Sequence, residues 1–204
     1  MLLVVAGPSG VGKGTLIRAL LERHPGVQWS VSCTTREPRS GEKPGVDYHF
    51  VSDDEFDRMS RDGELLEWAL VHGSDHYGTP RAPVEKALAA GRDIVLEIDY
   101  QGARSVRAAL PEAVTVFVAP PSAEALAERL GERNTESPEA VTRRLRTARI
   151  EFTHMGMFDY LLVNDDLEQA IDDLEAIYLA EGMRMRRSGM RELQRRLLAG
   201  MEEQ

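Results

Sequence analysis

The sequence predicts an α/β domain with a mostly parallel sheet flanked by helices, and three observations predict it. Short β-rich runs alternate with amphipathic helical stretches along the chain. Two of those runs, Ile94-Val95-Leu96 and Val116-Phe117-Val118, are apolar at every position, as strands buried on both faces are. The first run, Leu2–Ala6, leads directly into a glycine-rich turn and then a helical stretch. A chain of 204 residues is long enough for one compact domain with a sizeable core.

In chain order, Leu2–Ala6 is short, apolar and without a basic leader, so it reads as a buried strand and not as a signal peptide. Strands are also expected at Val27–Ser32, Asp93–Ile98, Val114–Val118 and Tyr160–Val163, where β-branched, aromatic and aliphatic residues cluster. Helices are expected at Gly14–Arg23, Pro83–Ala90, Gln101–Ala109, Ala123–Gly131, Pro138–His154 and Leu167–Met185, where apolar residues recur at helical spacing. Two stretches interrupt the alternation. Thr34–Tyr77 is rich in turn residues, with strand-like pieces "DYHFVS" and "ELLEWALV", and Arg129–Arg144 gathers arginines around "GERNTESPE". In an enzyme that handles phosphate, such inserts are candidates for a substrate clamp and a lid. The boundaries expected are a core of 1–31, 80–125 and 155–187, an insert of 32–79, a lid of 126–154 and a helical tail of 188–204.

Composition narrows the function classes. With 42% hydrophobic and 29% charged residues the chain has the balance of a soluble globular protein. No apolar run reaches the roughly 18 residues of a membrane span, so no membrane partner is expected. A net charge of -9 argues against a sequence-independent grip on nucleic acid polymers. The single cysteine, Cys33, excludes an intramolecular disulfide and a multi-thiolate metal site, and a cytoplasmic address follows. The five histidines show no metal-ligand spacing.

The most informative stretch is "GPSGVGKGT": Gly7, Pro8, Ser9, Gly10, Val11, Gly12, Lys13, Gly14 and Thr15. A glycine, four residues and then Gly-Lys, placed between a strand and a helix, form the phosphate-loop pattern. Its glycines let backbone N–H groups converge on an anion, the helix N-terminus adds its dipole, and Lys13 brings a mobile charge to the terminal phosphates. Gly14 stands where a hydroxyl residue usually follows the lysine. Mg²⁺ would then be held largely through waters and nucleotide oxygens, with Thr15 supplying the hydroxyl.

After the second strand, Arg36 and Arg39 lie three residues apart around a proline, so two guanidinium forks could grip one phosphate. Ser32 and the Tyr48 phenol could add neutral donors; a solvated basic loop is the competing reading. Glu97 and Asp99 end an apolar strand and, with a period of two, are expected on the same side. There they could organise a metal ion or take part in acceptor binding.

At this point the chain resembles the guanylate kinase family. The resemblance rests on "GPSGVGKGT", "SVSCTTREPRSGEKPGVDYHF", "GELLEWALVHGSDHYGTP", "VLEIDYQG", "VFVAPPS", "ERLGERNTES" and "YLLVNDD", in that order, from Leu2 to about Ala180. It implies a P-loop NTPase-type sheet, a GMP-binding insert, a small lid, and transfer of the γ-phosphoryl group of ATP to GMP and dGMP with Mg²⁺. It further implies that Ser32, Arg36, Arg39, Tyr48 and Tyr77 hold the GMP phosphate. Glu67, with Thr79 and Asp99, would read the guanine, whose N1–H and 2-amino group match a carboxylate. Arg129, Arg133 and Arg144 would close over the ATP phosphates, with Arg143 adjoining, and Lys13 and Arg36 would join them in catalysis. Asn164 would line the adenine site or, equally, cap the following helix. Asn134 follows Arg133 where the family commonly has glycine.

A related sugar-phosphate kinase would share the frame but not Glu67, Thr79 and Asp99 together, and a catalytically inactive binding module would not need Lys13 and the lid arginines. Trp68 is expected in the core, and Cys33 as a small buried side chain. The tail places Met190, Leu193, Leu197 and Met201 at helical spacing, which leaves open docking on its own domain, pairing with a second subunit in a homo-oligomer, or partial disorder.

Overall fold

A computed structural model describes residues 1–39, 41–71, 75–131, 138–184 and 190–202. The chain opens with strand β1 (Leu2–Ala6), helix α1 (Lys13–Arg23) and strand β2 (Gln28–Trp29). An insert follows, made of β3 (Ser32–Thr34), β4 (Tyr48–Phe50), α2 (Asp53–Arg61), β5 (Leu65–Val71) and β6 (Asp75–Pro80). Alternation then resumes with α3 (Arg81–Ala89), β7 (Ile94–Glu97), α4 (Tyr100–Ala109) and β8 (Val114–Ala119). The last elements are α5 (Ala123–Gly131), α6 (Pro138–Thr153), β9 (Tyr160–Val163), α7 (Leu167–Gly182) and α8 (Met190–Glu202).

The main sheet is entirely parallel, in the order β2-β7-β1-β8-β9. Its central strand has no polar face: Leu3 and Val5 pack with α1, α5 and α7 on one side, while Leu2, Val4 and Ala6 pack with α3 and α4 on the other. A strand covered on both faces has to be apolar at successive positions, which is why the alternation of a half-buried strand is missing. The chain passes from β1 to the edge at β2, returns to β7 between the two, and then crosses to β8 and β9. The crevice at the carboxyl ends of β1 and β7, where this direction reverses, is where open α/β sheets bind ligands.

The insert forms its own four-stranded sheet, β4-β3-β6-β5, over a small core of Cys33, Phe56 and Leu65. Here the structure corrects three sequence expectations. The run Val27–Ser32 is not one strand: Gln28 and Trp29 pair with β7, the chain then breaks, and Ser32–Thr34 joins the second sheet. A polypeptide passing between two sheets cannot continue one ladder. Helix α2 was not anticipated, although Ser52 caps it by accepting from the Glu55 amide and Asp53, Asp54 and Glu55 fill its first turn. That Ser-x-x-Glu spacing is the available signal. Trp68 is not core: it is 49% exposed, its ring edge-on to Phe56 and His76 on the outer face of the insert. Cys33 is buried as expected, and burial pushes its thiol up to about 11.

Candidate active site

The phosphate loop leaves β1 through backbone that only glycine adopts easily. Gly7, Gly10 and Gly12 have φ of 137°, 91° and 93°. A Cβ on Gly7 would lie 2.2 Å from the Val118 carbonyl oxygen, and one on Gly12 would lie 2.6 Å from the Asn164 amide nitrogen. Gly12 is the N-cap of α1, no side chain caps the helix, and its first residues, Lys13, Gly14 and Thr15, line the crevice. Lys13 donates from Nζ to the carbonyls of Gly7 (2.7 Å) and Pro8 (3.1 Å) and stands 4.0 Å from Glu97. Pro8 and Val11 are buried and do not line the cleft.

The glycine after the lysine has a steric reason. A Cβ on Gly14 would lie 3.3 Å from Glu97 Oε2, with Arg18 and Trp29 at 3.6 and 3.7 Å. Any side chain there would press on the Glu97 carboxylate. The hydroxyl of Thr15, on the next residue, is exposed in the same cleft.

On the far side, antiparallel pairing of β5 with β6 sets Glu67 opposite Thr79, and the Thr79 hydroxyl donates to Glu67 Oε1 at 2.5 Å. Glu67 is 6% exposed. Burial drives its carboxyl up to about 7; the Thr79 bond pulls the other way, and the charge of Asp99 adds to the rise. Gly102 abuts this carboxylate so closely that a Cβ would come within 2.3 Å of Oε2.

Asp99 requires a correction. β7 ends at Glu97, and Asp99 is the N-cap of α4, accepting from the Gly102 amide (2.8 Å) and the Gln101 side chain (3.0 Å). Glu97 and Asp99 are therefore not paired by strand periodicity. They share the cleft because the chain turns at the end of the sheet.

Arg36 is held in an elaborate cradle. Its Nε donates to the Tyr77 hydroxyl at 2.9 Å, and its two terminal nitrogens reach Glu42 at 3.0 and 2.9 Å. Its guanidinium also lies 5.4 Å from the centre of the Tyr48 ring. The Arg36 fork holds the Glu42 carboxyl below the usual carboxylate range. Burial pushes the Tyr48 phenol up to about 12. Glu42 escaped sequence reading because nothing in "SGEKPG" marks one carboxylate as an arginine's partner.

One cleft of about 710 Å³ brings these groups together. Its walls include Gly7, Ser9, Gly10, Gly12, Lys13, Gly14 and Thr15 on the loop side. Ser32, Arg36, Arg39, Tyr48, Glu67 and Tyr77 line it from the insert, Glu97 from the end of β7 and Asp99 from the turn into α4, and Arg143, Arg144 and Glu151 from α6. Arg144 is 8% exposed. Thr79 lies behind Glu67, fully buried.

Two residues expected here are occupied elsewhere. Arg129, at the end of α5, donates to the Asn164 carbonyl at 2.9 Å. Asn164 neither caps α7, whose cap is Asp166, nor lines the cleft: its buried amide donates to the Val11 carbonyl at 2.7 Å and braces the phosphate loop from behind. Arg133 and Asn134 lie outside the described residues. Glu151 carried no sequence signal beyond a shared helix face with Arg144 and Thr147, at spacings of seven and four.

Comparison with known proteins agrees with this geometry. A family model described as guanylate kinase matches residues 1–181. A guanylate kinase of Symbiobacterium thermophilum is 55% identical over 190 residues, covering 93% of this chain and 89% of that protein. One of Dechloromonas aromatica is 53% identical over 182 residues, covering 89% of this chain and 90% of its own. The crystal structure of guanylate kinase from Anaplasma phagocytophilum superimposes with a TM-score of 0.77 at 37% identity, over 95% of this chain and 92% of that one. A phosphate loop and a carboxylate-and-arginine pocket facing one another across a single cleft, in a chain this similar throughout, mean that it belongs to the guanylate kinase family.

Proposed function

We infer that this chain transfers the γ-phosphoryl group of ATP to GMP, giving ADP and GDP, and that it accepts dGMP as well. The observation that carries the inference is that Arg36, Arg39 and Glu67 open into one cleft with Lys13. Two phosphate-binding regions and a purine-reading carboxylate are thereby within one ligand's reach of each other.

In this reading the triphosphate lies on the Gly7–Thr15 amides, with Lys13 at its terminal phosphates. The acceptor phosphate takes the Arg36 fork in exchange for Glu42, joined by Arg39, Ser32, Tyr48 and Tyr77. Glu67, fixed by Thr79, accepts from guanine N1–H and the 2-amino group. Adenine has no such donor pair and would leave a buried carboxylate unpaired, a mismatch that can cost ~10⁴-fold in selectivity. Held in line, an oxygen of the GMP phosphate bonds to the γ-phosphorus as the bond to the β-phosphate oxygen breaks, and ADP leaves with that electron pair. Little covalent work falls to the protein; alignment and cations placed where charge spreads do most of it. Lys13 and Arg144 meet that need directly, with Arg129 and Arg133 assigned to lid closure.

The donor set suits Mg²⁺: the exposed Thr15 hydroxyl and, through water, the Glu97 carboxylate are hard oxygen ligands beside Lys13. When bound, the cation neutralises phosphate charge and orients the phosphate oxygens. No described helix is long and apolar enough to cross a membrane. We place the enzyme in the cytoplasm, in purine nucleotide metabolism, acting on free nucleotides as a monomer or homo-oligomer and not on nucleic acid polymers.

The test is coupled measurement of ADP formation with GMP, dGMP, AMP and ribose bisphosphates as acceptors. Turnover with AMP but not GMP would overturn the guanine assignment. Glu67→Gln should impair GMP use while ATP binding is preserved; an unchanged GMP response would remove Glu67 from the pocket.

A further inference from the structure

Among the described residues, the cleft contains one buried titratable group that this scheme does not use. Glu151, near the end of α6, is 5% exposed and lines the cleft. Its Oε2 is sealed from solvent without a hydrogen-bond partner. Among the described residues no lysine or arginine forms an ion pair with it. A buried carboxylate in that position would be costly.

We propose that Glu151 works as a neutral carboxyl, donating a hydrogen bond from Oε1, the oxygen not sealed off, to a phosphoryl oxygen of the nucleotide bound in the cleft. The proposal rests on the phosphoryl-transfer reading above and adds a residue to it.

The groups facing Glu151 decide its charge. From the phosphate loop, Lys13 favours the ionised form; from the N-cap of α4, Asp99 opposes it. Glu97 ends β7 in the same cleft, Tyr100 at the start of α4 stacks on His154 at 4.3 Å, and Arg143, Arg144 and Arg146 share α6 with it. Burial outweighs Lys13 and pushes the carboxyl up to about 7. A bound polyphosphate engages Lys13 and adds negative charge, and both changes move Glu151 further towards the protonated form. A protonated carboxyl has an O–H to donate, whereas a carboxylate can only accept. Phosphoryl oxygens are strong, charged acceptors, so the protonated form attracts what the ionised form repels. An acid kept neutral by an apolar setting so that it can donate at neutral pH is an established catalytic device.

The experiment compares the parent with Glu151→Gln, whose amide retains a donor but does not titrate. kcat/KM for ATP, with GMP saturating, is measured from pH 6 to 9. ATP binding is measured calorimetrically in two buffers of different ionisation enthalpy, which counts protons taken up. Titration of the substrates and of Glu67 is common to both proteins and cancels in their ratio. The parent should exceed E151Q at pH 6, and the ratio should fall about tenfold per pH unit above about 7. On binding ATP near pH 8 the parent should take up a fraction of a proton that E151Q does not. Glu151→Ala, with no donor, should lie below E151Q throughout.

A pH-independent ratio, equal proton uptake, or a ratio falling towards acid would each overturn the proposal. If E151Q does not fold, the parent decides alone: no uptake at pH 8 beyond the titration of ATP itself overturns it. Absence of GMP-dependent ADP formation by the parent at any pH would instead count against the proposed function, since proton uptake on ATP binding is read independently of it.

Discussion

Gly102→Ala adds one methyl group, and its consequence can be worked from the geometry. The new Cβ would lie 2.3 Å from Glu67 Oε2, 2.9 Å from its Cδ and 3.3 Å from Ile98 Cβ. Ordinary non-bonded contact begins near 3.5 Å, so the carboxyl has to retreat by about 1 Å. Glu67 is enclosed in the wall of the cleft, and its retreat stretches or breaks the buried Thr79 bond, now 2.5 Å. Losing a buried hydrogen bond costs about 1–3 kcal/mol. A misplacement of ~1 Å at a reacting geometry can cost ~10²-fold, equivalent to about 2.7 kcal/mol. Against this, alanine is favoured over glycine within a helix by about 1 kcal/mol, and Gly102 has no positive φ to strain it. G102A should therefore melt close to the parent and bind ATP normally, while kcat/KM for GMP falls ~10–100-fold. Steady-state kinetics, ATP calorimetry and a thermal melt test this together. GMP kinetics within threefold of the parent in a folded G102A would refute the claim that this glycine seats Glu67.

GMP affinity should rise as pH climbs to about 7 and then level, with a proton released on binding below that pH. Guanine's donors favour the ionised Glu67, whose free carboxyl sits near 7; affinity independent of pH from 5.5 to 8 in calorimetry would argue against it. Because that carboxyl is raised above its ordinary 4.5, its contribution to stability is present in acid and lost as pH rises to about 7. Glu67→Gln should accordingly melt higher than the parent at pH 8, by up to roughly 3 kcal/mol. Lys13→Met should lose ~10³-fold or more in kcat with an unchanged melt, because its partners are loop carbonyls that remain on the cleft. Asn164→Ala leaves the Val11 carbonyl without its buried donor; a loss of about 1–3 kcal/mol in chemical denaturation, with weaker ATP binding, is expected.

The readable parts of this protein were those whose reason is local. The glycines from Gly7 to Gly12 announce an anion loop because no other residue tolerates that backbone, and the apolar runs of β1, β7 and β8 announce a sheet covered on both faces. Arg36, Arg39 and Glu67 were legible through the order of motifs around them. The capped start of α2 is legible too, in the Ser52 and Glu55 spacing.

What the chain's order of residues determined was therefore the parallel frame, the phosphate loop and the kinds of side chain available to an acceptor. Only the tertiary structure decided which of them meet. Asn164 braces the loop from just past the end of β9, 153 residues away in sequence, Glu42 occupies the Arg36 fork, Gly14 yields its place to Glu97, and Asp99 leaves the strand to cap a helix. Contacts between distant segments depend on how sheets and helices stack, and no local periodicity encodes that. The same holds for Glu151: its spacing on α6 is visible in the sequence, but its burial, which raises its carboxyl, exists only once α6 has packed along the cleft.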